Sequence, residues 1–233
     1  MIRGRVDTSM VDWDGKLAMV LFFDRCNFAC PYCQNWELMD RPEAYPVIDL
    51  EDVLQNLSRR KDWIDGVVLT GGEPTLDPEE LRSVIEKIRA LGLKIKIDTN
   101  GYAPRVLQGL LRDRLVDYVA MDVKAPLDER YSPATGAKID PEKIRESIRI
   151  LRSGETDHEF RTTLVPGIID ESGLRKIGAE LKAARRWYLQ IFVPGNAPPG
   201  PFREKRFTAA EIERLLAVAR EYVPGAKLRG SIT

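Results

Sequence analysis

The residues best suited to chemistry are concentrated in one short stretch, "DRCNFACPYCQN", which spans residues 24–35 and contains every cysteine of the chain. Cys26, Cys30 and Cys33 follow the spacing Cys-x3-Cys-x2-Cys. Thiolates are nucleophiles and metal ligands, and an odd number of thiols cannot all pair as disulfides within one chain. This grouping therefore predicts a metal site or a set of reactive thiols.

The fourth ligand distinguishes the kinds of metal site. Structural zinc takes four protein ligands, and the only histidine, His158, lies far along the chain. A redox pair of Cys30 and Cys33 would leave Cys26 without a role. A [4Fe–4S] cluster on three thiolates leaves one iron open to a substrate or cofactor, so it is the interpretation that we favour. The zinc site and the redox pair stay open as alternatives.

The rest of the chain alternates between apolar runs of strand length and segments with helical spacing of apolar residues. Strands are predicted at 16–23, 66–70, 93–97, 117–121, 158–165 and 187–193, with a short last strand at 227–229. Helices are predicted at 49–63, 77–90, 104–111, 140–151, 171–184 and 208–222. Such alternation predicts an α/β fold with parallel strands and right-handed crossovers. Six units fit a partial (β/α)6 TIM-like barrel better than an open doubly wound sheet.

Composition limits the domain count and the classes of partner. No linker divides the chain, so we expect a single domain over residues 1–233, with a mobile loop at 194–207 in the most Pro/Gly-rich segment. Lys plus Arg equals Asp plus Glu at 36 each, which argues against nucleic acid and acidic membranes as partners. No apolar run approaches the roughly 20 residues of a membrane span. The N-terminus lacks the apolar core of a signal peptide, so we expect a cytoplasmic protein.

Polar and glycine-rich motifs follow the predicted strands. The second strand runs into "TGGEP" (70–74), the third into "DTNG" (98–101) and the fourth into "MDVK" (121–124), while the fifth contains Arg161. The carboxyl ends of parallel strands meet at one rim, so we expect these motifs to surround the cysteine loop. Glycines there let a ligand approach the backbone closely. Ordinary alternatives are a glycine turn, an Asn-Gly turn, helix caps and a solvated arginine.

Two carboxylates fall at neighbouring strand ends in this arrangement. Asp98 opens "DTNG" and Asp122 lies in "MDVK". Carboxylates so placed repel each other unless a cation or the nearby Lys124 compensates their charge. The pattern therefore predicts a compensated pair of buried acids at the rim.

The cysteine spacing, placed directly after the first strand of an incomplete barrel and followed by "GGEP", resembles the radical S-adenosylmethionine (SAM) enzymes. The aromatic residue before the last cysteine, Tyr32, is typical of that family. The resemblance implies that the three cysteines hold a [4Fe–4S] cluster whose open iron binds the amino and carboxylate groups of SAM. It also implies that an electron cleaves the sulfonium and that the resulting 5′-deoxyadenosyl radical abstracts a hydrogen atom.

The resemblance also assigns the other motifs to the cofactor. The implied SAM contacts are Tyr32, Gly71, Gly72, Glu73, Pro74, Asn100, Lys124 and Arg161. "DTNG" and "DxK" resemble the pyruvate formate-lyase activating enzyme group, which implies a possible monovalent cation near SAM, held by Asp98, Thr99 and Asp122 together with neighbouring backbone carbonyls. No catalytic residue is implied beyond the iron–sulfur cluster and SAM.

Motifs along nearly the whole chain resemble the anaerobic ribonucleoside-triphosphate reductase activating proteins, which are glycyl-radical enzyme activases. This implies a partner glycyl-radical enzyme that donates hydrogen from a backbone glycine, and a flavodoxin- or ferredoxin-like electron donor. The chain departs from the pattern at Gln34, where such activases often have histidine, and it has no histidine at 187–193. The alternatives are a radical SAM enzyme acting on a small molecule or modified nucleoside, and a non-enzymatic iron–sulfur or zinc protein.

Overall fold

One sheet organises the molecule, whose residues 1–231 are described by a computed structural model. Its eight strands lie side by side in chain order: β1 (Ile2–Ser9), β2 (Ala18–Phe23), β3 (Gly66–Gly71), β4 (Lys94–Thr99), β5 (Tyr118–Asp122), β6 (Asp157–Leu164), β7 (Trp187–Ile191) and β8 (Lys227–Arg229). β1 runs antiparallel to β2, and every later pair is parallel. Within the described residues β8 does not pair with β1. The α/β fold with a partial, unclosed barrel is confirmed.

Helices connect the parallel strands. They are α1 (Trp36–Asp40), α2 (Leu50–Arg60), α3 (Pro78–Arg89), α4 (Pro104–Arg112), α5 (Tyr131–Thr135), α6 (Pro141–Ser153), α7 (Glu171–Leu181) and α8 (Ala209–Tyr222). Capping side chains start several of them, among them Asp77, which accepts a hydrogen bond from Glu80 N at 3.1 Å. Among residues 1–231, none of these helices has the length and apolarity to span a membrane.

Every predicted strand and helix has a counterpart in the structure. The structure also contains one strand and two α-helices that the sequence did not predict, namely β1, α1 and α5. β1 was missed because its middle residues are exposed and show no apolar alternation. α1 and α5 have only five residues each, too few for a helical period to be visible in the sequence. The segment at 194–207 connects β7 to α8 and contains one short 3-10 helix, Pro194–Asn196; its mobility stays a prediction. The predicted domain of residues 1–233 ends two residues outside the described part.

The two faces of the sheet differ in chemistry. Successive side chains of a strand point to opposite faces. On β4, Ile95 and Ile97 join the hydrophobic core under the helices, whereas Lys96 and Asp98 form an ion pair with each other. Arg161 of β6 pairs with Asp98 in the same way. The concave side of the partial barrel therefore carries these charges beside a small apolar cluster of Trp13, Ala18, Val20 and Val68, and the site lies on that side.

Candidate active site

A cavity of about 910 Å³ opens at the carboxyl ends of the parallel strands. All three cysteines line it, together with every predicted cation ligand and every predicted SAM contact except Pro74. Pro74 is buried and starts a 3-10 turn over Pro74–Leu76, so its position is explained by backbone conformation. The motifs that end separate strands are thus brought together in one site.

The cysteine loop presents half-buried thiols to this cavity. Cys33 N donates to the Cys30 carbonyl at 3.0 Å, and Phe28 N points at Cys26 Sγ at 3.4 Å. Burial raises the pKa of Cys26 to about 12 and that of Cys30 to about 11. Both thiols are therefore protonated at neutral pH unless a cationic partner stabilises the thiolates. Bound iron supplies such a charge, so the donor set fits a metal centre.

The arrangement of the thiols favours a cluster over a zinc ion. His158 lies near the amino end of β6, away from the cysteine loop, and its Nδ1 lies 3.0 Å from the Thr156 carbonyl. Across residues 1–231, no three His, Cys, Asp or Glu side chains are gathered closely enough to hold a single metal ion. The cysteines of a [4Fe–4S] cluster bind different irons and can stand farther apart. Residues 26, 30 and 33 fit that group.

The glycine loop is packed against the start of the cysteine loop. Gly71 has φ +104°, and a Cβ on Gly72 would lie 2.0 Å from the Arg25 carbonyl oxygen. Gly72 N donates to Phe23 O at 2.7 Å, and the Asn35 amide donates to Gly71 O at 3.2 Å. The close approach of the two backbones is enough to explain why glycine stands at both positions. The backbone of the same loop also borders the cavity.

Glu73 fastens the glycine loop to the "DTNG" loop. Its carboxylate accepts hydrogen bonds from Thr99 Oγ1 at 2.7 Å, Asn100 N at 2.6 Å and Thr75 N at 3.1 Å. The side chain is 4% exposed, and burial raises its pKa. Since the carboxylate oxygens are already used inside the protein, the structure indicates a positioning role for them. Thr75, one of the partners, was not predicted.

Asn100 connects the same loop to the cysteines. Its Nδ2 donates to Asn27 Oδ1 at 2.8 Å and lies 3.9 Å from Cys26 Sγ, while Oδ1 accepts from Tyr102 N at 3.0 Å. The Asn-Gly turn, which is the ordinary alternative to a SAM contact at Asn100, is present, and the Asn100 amide also holds the cysteine loop. Asn27 was not predicted, although its place between two ligands makes it a natural partner.

A row of alternating charges crosses the floor of the cavity. Arg161 donates from Nε to Asp122 Oδ1 at 2.7 Å and from Nη1 to Asp98 Oδ2 at 2.8 Å. Lys124 Nζ donates to Asp122 Oδ2 at 2.8 Å, and Lys96 Nζ lies 3.1 Å from Asp98 Oδ1. We call these five residues the Arg161 row. The charge compensation expected of Lys124 is present, and it is shared with Arg161 and Lys96.

The acids of this row are ionised. Burial by itself would raise the pKa of Asp122, but the charges of Arg161 and Lys124 outweigh it and hold the pKa well below its usual range. The pKa of Asp98 is lowered in the same way, by Arg161 and Lys96 against the effect of burial. The site is therefore a buried, charged surface prepared to meet a charged ligand.

A model of the Radical SAM superfamily matches residues 20–175, which is more than half of the chain. The chain belongs to the radical SAM superfamily. Its cofactors are therefore a [4Fe–4S] cluster and SAM, and the cavity at the strand ends is where the family motifs meet.

Two relatives and one solved structure define the relationship further. A Methanocaldococcus jannaschii protein, provisionally named a glycyl-radical enzyme activating enzyme, is 30% identical over 98% of this chain and 95% of its own. The pyruvate formate-lyase-activating enzyme of Clostridium pasteurianum is 31% identical over 79% of each chain. Streptococcus suis SuiB bound to precursor peptide SuiA superposes with a TM-score of 0.71 at 14% identity, over 91% of this chain. This chain spans about half of SuiB (48%), and that likeness shows the fold alone.

The radical SAM site is partly covered by the loop after β7. Tyr32 is buried, its hydroxyl lies 3.4 Å from the Lys124 carbonyl, and its ring meets Phe192 and Phe202 with centroids 6.4 Å apart. The other side of the cysteine loop rests on α5, whose Thr135 carbonyl accepts from Ala29 N at 2.8 Å. This chain thus holds the cysteine loop between two elements, of which the short helix gave no sequence signal.

Proposed function

We propose that this radical SAM enzyme is a glycyl-radical enzyme activase whose partner is of the anaerobic ribonucleotide reductase type. The observation that supports the activase is the match to the Methanocaldococcus jannaschii protein, which runs over 98% of this chain and 95% of that one. The ribonucleotide reductase type of the partner rests on the resemblance of the sequence motifs alone. Held by the thiolates of Cys26, Cys30 and Cys33, a reduced iron–sulfur cluster would supply the one electron that cleaves SAM to methionine and a 5′-deoxyadenosyl radical. Abstraction of a hydrogen atom from a backbone glycine of the partner would then give 5′-deoxyadenosine and a glycyl radical.

In this proposal the residues of the cavity divide into two groups. The thiolates of residues 26, 30 and 33 hold the cluster. The predicted SAM contacts other than Pro74 border the same cavity, and we propose that the backbone of the glycine loop and the free N–H groups of Arg161 and Lys124 meet the SAM carboxylate. A flavodoxin- or ferredoxin-like protein is the proposed electron donor, and residues 1–233 are proposed to act as one domain.

The extent of the cavity supports a macromolecular substrate. Beyond the SAM contacts it continues along the last strands, where Thr163, Gln190, Arg229 and Gly230 line it. Its volume of about 910 Å³ is near the upper end for pockets that enclose one small ligand, typically ~300–1,000 Å³. We propose that the peptide segment that carries the glycine enters beside SAM on this side.

Electron paramagnetic resonance tests the proposal. Anaerobically reconstituted enzyme is incubated with SAM, a reductant and a candidate anaerobic ribonucleotide reductase, and a glycyl radical signal is expected on the partner. Cys30→Ala and a partner with its reactive glycine replaced by alanine are the matched controls, and both are expected to give no signal. SAM cleavage without a glycyl radical on any glycyl-radical enzyme of the host would overturn the activase and leave the small-molecule alternative.

A further inference from the structure

We propose that Arg161 takes the place of a monovalent cation in this site, so that SAM binding needs no alkali-metal ion. The expected cation ligands are Asp98, Thr99 and Asp122. The guanidinium of Arg161 lies between the two carboxylates and donates to both, at 2.7 Å to Asp122 and 2.8 Å to Asp98. A cation that bridged the same two acids would have to occupy the position that the guanidinium fills.

Most carboxylate oxygens of the expected cation ligands already accept hydrogen bonds from cationic side chains. Asp122 uses Oδ1 for Arg161 and Oδ2 for Lys124. Asp98 Oδ2 accepts from Arg161, whereas Asp98 Oδ1 is buried and has no hydrogen bond. That oxygen is the carboxylate oxygen of the two acids that no hydrogen bond occupies, and the Lys96 ammonium already lies 3.1 Å from it. An added cation would therefore sit against an existing positive charge.

The third expected ligand points away from this position. Thr99 is the neighbour of Asp98 on β4, so its side chain leaves the opposite face of the strand. Its hydroxyl donates to Glu73 Oε1 at 2.7 Å and accepts from Gly101 N at 3.1 Å. The Thr99 hydroxyl is thus engaged elsewhere and is not available to a cation shared by the two acids.

The charge of the row points to the ligand that completes it. Three cationic side chains (Lys96, Lys124 and Arg161) face two carboxylates (Asp98 and Asp122), so the row carries 3 − 2 = +1. A monovalent cation would make this +2 in a buried place, which is costly. An anionic group would neutralise the row instead. SAM brings a carboxylate, and Arg161 has N–H donors beyond the two that it uses.

Strand pairing holds the guanidinium in this position before any ligand binds. Arg161 on β6 is the direct register partner of Asp122 on β5, and its carbonyl accepts from Val123 N at 2.8 Å. The side chain is 9% exposed. Because an arginine fork is planar and fixed by two hydrogen bonds here, it can orient a carboxylate as a mobile ion cannot.

Equilibrium dialysis of SAM against the reconstituted enzyme tests this inference. We expect the Kd to change by less than about twofold when Na⁺ and K⁺ are replaced by tetramethylammonium at constant ionic strength. The line width of ²³Na⁺ in the same samples should not respond to added SAM. A weakening of the Kd by about tenfold or more without alkali ions, or a SAM-dependent ²³Na⁺ broadening, would overturn the inference.

Arg161→Gln gives the converse test. It leaves two facing carboxylates, so SAM affinity should fall by about tenfold or more in tetramethylammonium and recover in part when Na⁺ is added. Arg175→Gln, which removes an exposed pair with Glu221, is the matched control and should show neither effect. An Arg161→Gln protein that binds SAM equally well with and without Na⁺ would contradict the inference. If the Arg161→Gln protein does not fold, the same dialysis on Arg161→Lys, together with the wild-type measurement, tests the inference instead. The activase proposal is tested separately, since SAM binding needs no partner.

Discussion

Two groups of paired charges lie on the concave side of the sheet, and they differ in how many of their polar atoms are already hydrogen-bonded within the protein. The first is the Arg161 row. The second, which we call the Glu159 group, consists of Asp14, Tyr118, Glu159, Tyr188 and Arg229. In it Arg229 donates to Glu159 at 3.0 Å and to Asp14 at 3.2 Å and stacks over Tyr188, while Tyr118 donates to Glu159 at 2.8 Å. Each acid here is held by several protein donors.

The Arg161 row, in contrast, keeps capacity for a ligand. It borders the cavity at the carboxyl ends of the strands, carries a net positive charge and contains the unbonded oxygen Asp98 Oδ1. The Glu159 group fastens Asp14, in the β1–β2 connection, to the last two strands. Largely buried ion pairs occur in both groups, although Asp14 itself is exposed, so neither burial nor ion pairing marks a site. Arg229 also lines the cavity, but four members of the Arg161 row do so, and the unused donors of Arg161 and Lys124 distinguish the binding row from the structural group.

Asp122→Asn should produce the largest effect, because it removes a carboxylate that two cationic side chains share. Breaking a buried pair typically costs about 3–5 kcal/mol in the free energy of unfolding. Arg161 and Lys124 would also lose their orientation toward SAM, so SAM cleavage should fall by about a hundredfold or more. Urea unfolding and the initial rate of 5′-deoxyadenosine formation measure the two effects. Wild-type SAM cleavage in this variant would show that the row does not serve the cofactor.

Glu159→Gln should separate stability from function in the second group. The side chain is 2% exposed and lies outside the cavity lining, and the change leaves Arg229 with Asp14 as its remaining acid. We expect a loss of about 2–3 kcal/mol in the free energy of unfolding, since glutamine keeps part of the hydrogen bonding. SAM cleavage at a temperature where the variant is folded should stay within about twofold of wild type. A large loss of SAM cleavage would show that the Glu159 group also serves the cofactor, contrary to the proposed distinction.

The pH dependence of stability should also differ between the wild-type protein and Asp122→Asn, by a smaller amount and because of the same buried ion pairs. The folded-state pKa values of Asp98 and Asp122 are held below those of an unfolded chain. Groups with a depressed folded pKa contribute stability above the unfolded value, near pH 4, and lose it as pH falls toward the folded value. The urea midpoint of the apoprotein should therefore fall between pH 5 and pH 3, and less steeply in Asp122→Asn. Equal slopes in the two proteins would show that these acids are not stabilised as described.

The sequence predicted those parts of the site that depend on residue spacing within one short segment. The cysteine spacing and the motifs at strand ends identified the rim, because strand ends of a parallel sheet converge. Lys96 was missed, although the alternation of "LKIKI" sets it opposite Ile95 and Ile97 and could have indicated a buried charge. The internal use of Glu73 had no such signal, since its partners come from a separate loop and depend on tertiary packing. β1 also lacked a pattern, because its exposed residues need no periodicity.

Transfer of isotope tests the central claim, that this enzyme takes hydrogen from a glycine of a partner protein. The partner is labelled with α-deuterated glycine and incubated anaerobically with the enzyme, SAM and reductant. Mass spectrometry then measures deuterium in 5′-deoxyadenosine as the glycyl radical forms. The account predicts that 5′-deoxyadenosine gains a single deuterium in proportion to the radical. Unlabelled 5′-deoxyadenosine at full radical yield would contradict it.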